Sequence, residues 1–392
     1  MRQYVDFSNL KRDEKFSIYK SKKTYNSIRF NWGGSVLRKE STLHQIAPYI
    51  GKMKSSMANT LIANFTKKSE TLYDPFCGSG SVALEAWAAS RNIIANDLSI
   101  YAVTLTRAKL FPIFSLDKAI DEIDKIEEQV QLLISRIDLR RIPRWVRAFF
   151  HPETLREVIA WAQVLNSKQS YFLLSCLLGI LHHQRPGFLS YPSSHTVPYL
   201  RDKKFKREIY PDLYNYRSVK DRLVRKAERA LKRIPELDYR ISRKCIMNDA
   251  SRFIPENKVN AILTSPPYMK QLDYGRDNRL RLWFLGISDW KSLDRIISPP
   301  EKKFINLFSN CLNLWHNVVN YKGLLILVLG DTMVKTYDMP LSEVVAHIAT
   351  IEVGGYSVVC SYSEQIPDTR RVRRGKSGSL KETILVLRNE KG

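Results

Sequence analysis

Apolar residues follow two rhythms along the chain. Short runs at 71–74, 92–96, 244–247, 259–263 and 323–330 are bounded by Gly, Pro, Asn or Asp and read as buried strands. Longer stretches repeat at helical spacing: 57–65, 81–89, 100–110, 116–137, 152–165, 168–183, 218–233, 280–285, 304–319 and 341–349. Ser55 or Ser56 is the expected N-cap of the first. Two late runs, 356–362 and 382–388, read as a long hairpin at a sheet edge. Strands alternate with helices near both ends, while the middle is helical. The pattern predicts an α/β, Rossmann-like fold. The expected divisions are an N-terminal arm (1–41), a first sheet-forming part (42–112), an inserted helical and basic region (113–240) and a second sheet-forming part (241–392).

Composition narrows the partner. Of 392 residues, 44% are hydrophobic and 26% charged, which fits a globular chain rather than a disordered one. Lys and Arg total 63 against 39 Asp and Glu, a net charge of +24. Such an excess favours a polyanion, since each neutralised phosphate releases counterions. An anionic membrane surface is the competing explanation, but no basic amphipathic helix stands out. The run 171–181 is too short to span a bilayer, so no membrane partner is expected. Cys77, Cys176, Cys245, Cys311 and Cys360 form no C-x-x-C pair, which argues against a zinc site or a disulfide framework. His182, His183 and His195 lack ligand spacing, so no metal is expected. With no apolar signal core near residue 1, the expectation is a reducing, cytoplasmic setting.

Chemistry concentrates where strands end. After 71–74 comes Asp74-Pro75-Phe76-Cys77-Gly78-Ser79-Gly80 and a helix: the strand, glycine loop and helix of a nucleotide site. A third glycine and a Gly-Lys-Ser/Thr are missing, which disfavours NAD sites and P-loops. Asp97 ends the next strand and either holds ribose hydroxyls or caps the following helix. Asp249, before Ala250, ends another strand and can accept from an adenine amine. The run 259–263 passes into Thr264-Ser265-Pro266-Pro267-Tyr268. Two prolines forbid regular structure there. The turn offers a hydroxyl, carbonyls and a ring, a kit that can hold a flat heteroaromatic amine; it could equally be a Pro-Pro turn that merely ends a strand. Tyr49 and Lys52 lie in a compact turn before the first helix.

The insertion carries a loop from 182 to 217 that interleaves Arg and Lys with aromatic residues, suiting phosphate contact and base stacking or a tyrosine-anchored surface excursion. Arg185, Tyr191, His195, Arg201, Lys203 and Lys204 are its candidate nucleic-acid contacts. Arg276 follows the Pro-Pro turn, and Arg370, Arg371, Arg373, Arg374 and Lys376 crowd the tip of the late hairpin. Arg276 is a further nucleic-acid candidate, and the five tip cations suit either a phosphate-gripping loop or a merely solvated turn.

Together these motifs resemble the amino-group DNA methyltransferases, which move a methyl from S-adenosylmethionine to cytosine N4 or adenine N6. The likeness covers about 42–110 and 244–390. PYIGKM, DPFCGSGSVALEA, ANDLSIYAVTLTRAK, MNDA, TSPPY and YGRDNRLRLWFLG carry it. Ser81 stands where most relatives have Thr, and Asn96 where Gly is common. The resemblance implies a class I methyltransferase sheet and S-adenosyl-L-methionine as cofactor, with no metal. It implies cofactor contacts at Tyr49, Lys52, Asp74, Pro75, Phe76, Gly78, Gly80, Asp97, Leu98, Asp249 and Ala250. Ser265, Pro266, Pro267 and Tyr268 become the catalytic group. The serine form of the motif is similar mostly to the cytosine-N4 branch. The implied partners are duplex DNA and, in a restriction-modification system, a separately encoded nuclease. Three other readings stay open: adenine-N6 methylation, RNA guanine-N2 methylation and a non-catalytic DNA-binding subunit.

Overall fold

The computed structural model describes residues 40–195, 197–267, 273–365 and 381–391. The expected arm up to residue 39, Tyr268, and the tip residues Arg370, Arg371, Arg373, Arg374 and Lys376 lie outside the described residues.

Seven strands make the main sheet: β1 (Thr71–Asp74), β2 (Asn92–Asp97), β3 (Arg243–Met247), β4 (Val259–Thr264), β5 (Val319–Gly330), β6 (Tyr356–Gln365) and β7 (Lys381–Asn389). Their order is β3-β2-β1-β4-β5-β7-β6. β1 to β5 run parallel, and β7 is antiparallel to both β5 and β6. This is the expected Rossmann-like, mostly parallel sheet with an antiparallel hairpin at one edge. The order reverses at β1, which pairs with β2 on one side and β4 on the other. Open α/β sheets bind ligands outside the strand ends at such a switch point.

Helices cover both faces. α1 (Ser55–Phe65), α2 (Ser81–Ala88) and α3 (Ile100–Leu110) belong to the first half. The insertion supplies α4 (Leu116–Ile134), α5 (Pro152–Ser167), α6 (Tyr171–Ile180) and α7 (Val219–Leu231). Then come α8 (Tyr274–Phe284), α9 (Trp290–Ile297), α10 (Glu301–Val318) and α11 (Leu341–His347). One apolar cluster joins α1 to α3 with the insertion helices, so the insertion continues the core of one sheet face. α6, apolar on every side, packs on α3, as a helix hydrophobic all round must. A second cluster fills the other face from α10, α11 and β5.

Sequence and structure differ at several element boundaries. α6 begins at Tyr171 rather than 168, because Gln169 takes φ 55° and breaks the helical path. Neither serine caps α1: Lys54 occupies the N-cap, and the Ser55 hydroxyl donates to Glu40 Oε1 at 2.8 Å. α9 was not anticipated. It has no fully buried residue, and its packing is mainly on α8.

Buried cations tie the insertion down. Arg217 donates to the Phe188 carbonyl at 2.8 Å, the Leu213 carbonyl at 2.7 Å and the Ser190 carbonyl. Arg281 on α8 donates to the Leu178 carbonyl of α6 at 3.2 Å. Charges this deep are tolerated because backbone oxygens satisfy them. Gly179 lets α6 meet the turn before α1, since a Cβ there would lie 2.1 Å from the Ile46 carbonyl oxygen. Gly179→Ala therefore destabilises the fold by about 1–3 kcal/mol in chemical denaturation. Gly187→Ala, where a Cβ meets nothing within 4 Å, is the neutral control.

Candidate active site

The C-terminal ends of β1, β2, β3 and β4 open onto one cleft holding about 980 Å³ of empty space, part of it open to solvent. Ten of the expected cofactor residues line it: Tyr49, Lys52, Asp74, Pro75, Phe76, Gly78, Asp97, Leu98, Asp249 and Ala250. Ser265 and Pro267 line it as well, while Pro266 is buried beside them. Parallel pairing explains the convergence. Residues some 20 to 190 positions apart become neighbours once their strands share a register.

Gly80 does not reach the cleft. It is the N-cap of α2 at φ 74°, and a Cβ there would sit 2.7 Å from Thr106 Oγ1. Its role is close packing of the loop on α3. Gly78 does line the cleft at φ 50°, with its Cβ position 3.3 Å from the Tyr49 ring. Lys109 of α3 passes beneath the loop and donates to the Ser79 carbonyl. Burial pulls that ammonium down to about 7.

The carboxylates are held from several sides. Asp74 Oδ1 accepts from the Thr264 hydroxyl at 2.6 Å and the Phe76 amide at 3.3 Å. Burial pushes its carboxyl up to about 7, against those two bonds. Asp97 Oδ2 accepts from the Gly78 amide at 2.9 Å and Oδ1 from the Ser99 amide at 2.8 Å. It thus braces the glycine loop and the entry to α3 together, whose N-cap is Ser99. Burial raises it to about 6. Asp249 braces its own turn through Ser251.

These residues suit a nucleoside with a cationic tail. Among the described lining residues, Lys52 is the sole charge opposing Asp74, Asp97 and Asp249, in a chain of net charge +24. Lys52 Nζ is engaged by the His44 carbonyl at 2.9 Å. The hydroxyls of Ser79 and Ser81, both in the lining, are buried with no hydrogen-bond partner among the described residues, which leaves donors for a polar ligand. The tight approach at Gly78 is a cradle that a side chain would fill. No group of three His, Cys, Asp or Glu suited to a metal occurs among the described residues.

Sequence reading missed part of the lining. Tyr274, at the start of α8, contributes a ring, and Ile296 and Ile297 of α9 close one side. Met53, Asn248 and Leu307 also contribute. The tyrosine before Gly275 was the available signal: a Cβ on that glycine would lie 2.5 Å from the Trp290 carbonyl, so the chain is pinned there.

The nucleic-acid candidates lie elsewhere. Arg185, His195, Lys203 and Lys204 are exposed on the insertion loop, and Tyr191 and Arg201 are half-buried in it. The His195 ring meets His183 edge-on at 4.5 Å, Tyr191 packs on Tyr214 at 4.9 Å, and Arg201 donates to Gln184 at 2.7 Å. Arg276 is held by Asp273 at 2.7 Å and Asp277 at 3.3 Å. None of these lines the cleft. No described helix is long and apolar enough to cross a membrane.

The raised carboxyls give a pH signature. An unfolded Asp ionises near pH 4, whereas folded Asp74 does so near 7. Between those values the folded state keeps a proton that the unfolded chain has lost, so this group's contribution falls as pH rises. Asp74→Asn should match the wild type in thermal unfolding at pH 4 and exceed it progressively up to pH 8. A constant difference across that range would contradict the burial of an ionisable Asp74.

Known proteins are similar to parts of this chain. The family model for D12 class N6-adenine-specific DNA methyltransferases matches residues 49–207. The type II methyltransferase M.BsoBI of Geobacillus stearothermophilus is 26% identical over 288 residues, 64% of this chain and 54% of the relative. The chain thus spans about half the length of that curated relative. Among solved structures, TrmN from Thermus thermophilus aligns at TM-score 0.36 and 12% identity, covering 88% of this chain and 52% of that one. The rRNA methyltransferase AviRa from Streptomyces viridochromogenes aligns at TM-score 0.32 and 11% identity, covering 87% of each. The first two similarities support an amino-methyltransferase family for this chain.

Proposed function

We propose that this chain transfers a methyl group from S-adenosylmethionine to the exocyclic amine of a base flipped out of duplex DNA. The observation that carries the reading is the meeting of Asp74, Asp97, Asp249 and Ser265 on one acidic cleft of a strongly basic chain. When bound, S-adenosylmethionine supplies an electrophilic methyl on a positively charged sulfur. Asp97 is positioned to accept from ribose hydroxyls, and Asp249 from the adenine amine. Ser79 and Ser81 offer their unpartnered hydroxyls to the amino-acid end.

An exocyclic amine is a weak nucleophile, because its lone pair is delocalised into the ring. Ser265 Oγ and the Pro266 carbonyl are the acceptors for its two hydrogens. Drawing on those hydrogens returns charge to nitrogen as the nitrogen–methyl bond forms and the methyl–sulfur bond breaks, and one proton then passes from the nitrogen to solvent water. Such contacts favour the transition state over the ground state. Thr264 fixes the strand end through Asp74, so Ser265 starts from a rigid point. Tyr268 is the proposed stacking platform for the base. The exposed cations of the insertion loop hold the phosphate backbone. A site-specific enzyme of this kind serves a restriction-modification or host-protection system, with a separately encoded nuclease as its partner.

Cytosine N4 is the proposed acceptor, from the serine at position 265. Adenine N6 is the second reading, favoured by the description of the matching family. That match ends at residue 207, before the Pro-Pro turn, so it draws on the cofactor half and the insertion. Digestion of treated duplex DNA to nucleosides, followed by mass spectrometry, separates the two. N4-methylcytosine is the expected product. N6-methyladenine would transfer the choice of base from Ser265 to the pocket around it. Methylated nucleosides from RNA alone would overturn DNA as substrate. Ser265→Ala should keep cofactor affinity within about twofold and lose turnover by about 100-fold or more.

A further inference from the structure

The glycine-loop side of the cleft has an aromatic wall, one ring of which, Tyr274, was given no role by the motif that contains it. Tyr49 and Tyr274 both line it, with ring centroids 6.1 Å apart and planes inclined at 37°. They come from the turn before α1 and from the start of α8, more than 200 residues apart. Each is fixed from behind. Tyr49 stacks on Tyr101 at 5.9 Å, and the Tyr101 hydroxyl donates to the Pro48 carbonyl at 2.6 Å. The Tyr274 carbonyl accepts from Asn278 at 3.0 Å, and the next amide, of Gly275, donates to Asp294 at 2.8 Å. Tyr49 also closes on Gly78, whose amide holds Asp97. The ring pair therefore stands beside the loop and its carboxylates, in a cleft where acidic groups outnumber Lys52 by three to one.

A ring face attracts a cation, and the attraction grows when water is excluded. We infer that Tyr274, together with Tyr49, recognises the positive charge of the methyl-donor sulfur, making Tyr274 a positioning residue that distinguishes the charged donor from its neutral product. The inference rests on the cofactor reading above. It adds a consequence that the carboxylates do not supply. The donor and S-adenosylhomocysteine share ribose, adenine and amino-acid ends and differ by one methyl and one positive charge. Contacts at Asp97, Asp249, Ser79 and Ser81 bind both alike. A ring wall at the sulfur favours the donor and releases the product once its charge is gone.

Calorimetric titration of the full chain with S-adenosylmethionine and with S-adenosylhomocysteine, without DNA, reads this directly. In Tyr274→Leu the ratio of donor to product affinity should fall by roughly 3- to 30-fold relative to wild type, the worth of a partly desolvated cation–ring contact. Tyr274→Phe keeps the ring and should keep the ratio. Tyr49→Leu tests the same wall from another segment and should show the same selective loss, even if one variant folds poorly. Equal weakening of both ligands, or no change in either, would overturn the inference and leave Tyr274 as packing. A wild-type chain that binds neither ligand would instead remove the cofactor reading itself, an outcome distinct from unselective variants.

Discussion

The hydrogen bond from the Thr264 hydroxyl to Asp74 Oδ1, 2.6 Å long and spanning 190 residues of sequence, is the contact on which the site depends. It joins the end of β1, where the glycine loop starts, to the end of β4, where the Pro-Pro turn starts. The two halves of the chain meet there without a loop to blur their relation. A buried carboxylate is costly unless it is bonded, and Asp74 meets that cost with Thr264 and the Phe76 amide. Burial and the neighbouring Asp97 carboxyl still raise its proton affinity against those two bonds.

From that point the rest of the cleft follows by adjacency. β2 lies beside β1, so Asp97 meets the glycine loop and holds it through the Gly78 amide. β3 lies beside β2 and brings Asp249 to the same edge. The opposite arrangement holds for charge. Acidic groups gather at the strand ends, while Arg and Lys occupy the insertion loop and the outer surface. An acidic pocket within a basic chain keeps opposite potentials at separate places on one molecule.

Much of this was legible in the sequence for a physical reason. Parallel strands buried on both faces must be apolar runs, and polar residues at their ends stand out: Asp74, Asp97, Asp249 and Ser265 were found that way. The glycine loop was legible as a unit, but the division of labour within it was not. That Gly78 faces the cleft while Gly80 packs on Thr106 depends on where α3 passes. Tyr274 was hidden because its partner Tyr49 is distant in sequence and no periodicity marks it. α9 was hidden because its eight residues bury no side chain completely: Trp290 and Leu293 pack only partly buried against the core, and Ile296 and Ile297 line the cleft. Arg217 and Arg281 were hidden for the opposite reason: a buried arginine satisfied by carbonyls looks in sequence like any surface cation.

The central claim is that one cleft, at the joined ends of β1, β2, β3 and β4, holds the methyl donor's nucleoside. A crystal structure of the chain soaked with S-adenosylhomocysteine tests it most directly. The account predicts the ribose hydroxyls within hydrogen-bond distance of Asp97 and the adenine amine at Asp249, with the sulfur beside Tyr49 and Tyr274. Density for the ligand outside this cleft, or inside it with the ribose turned away from Asp97, would contradict the account.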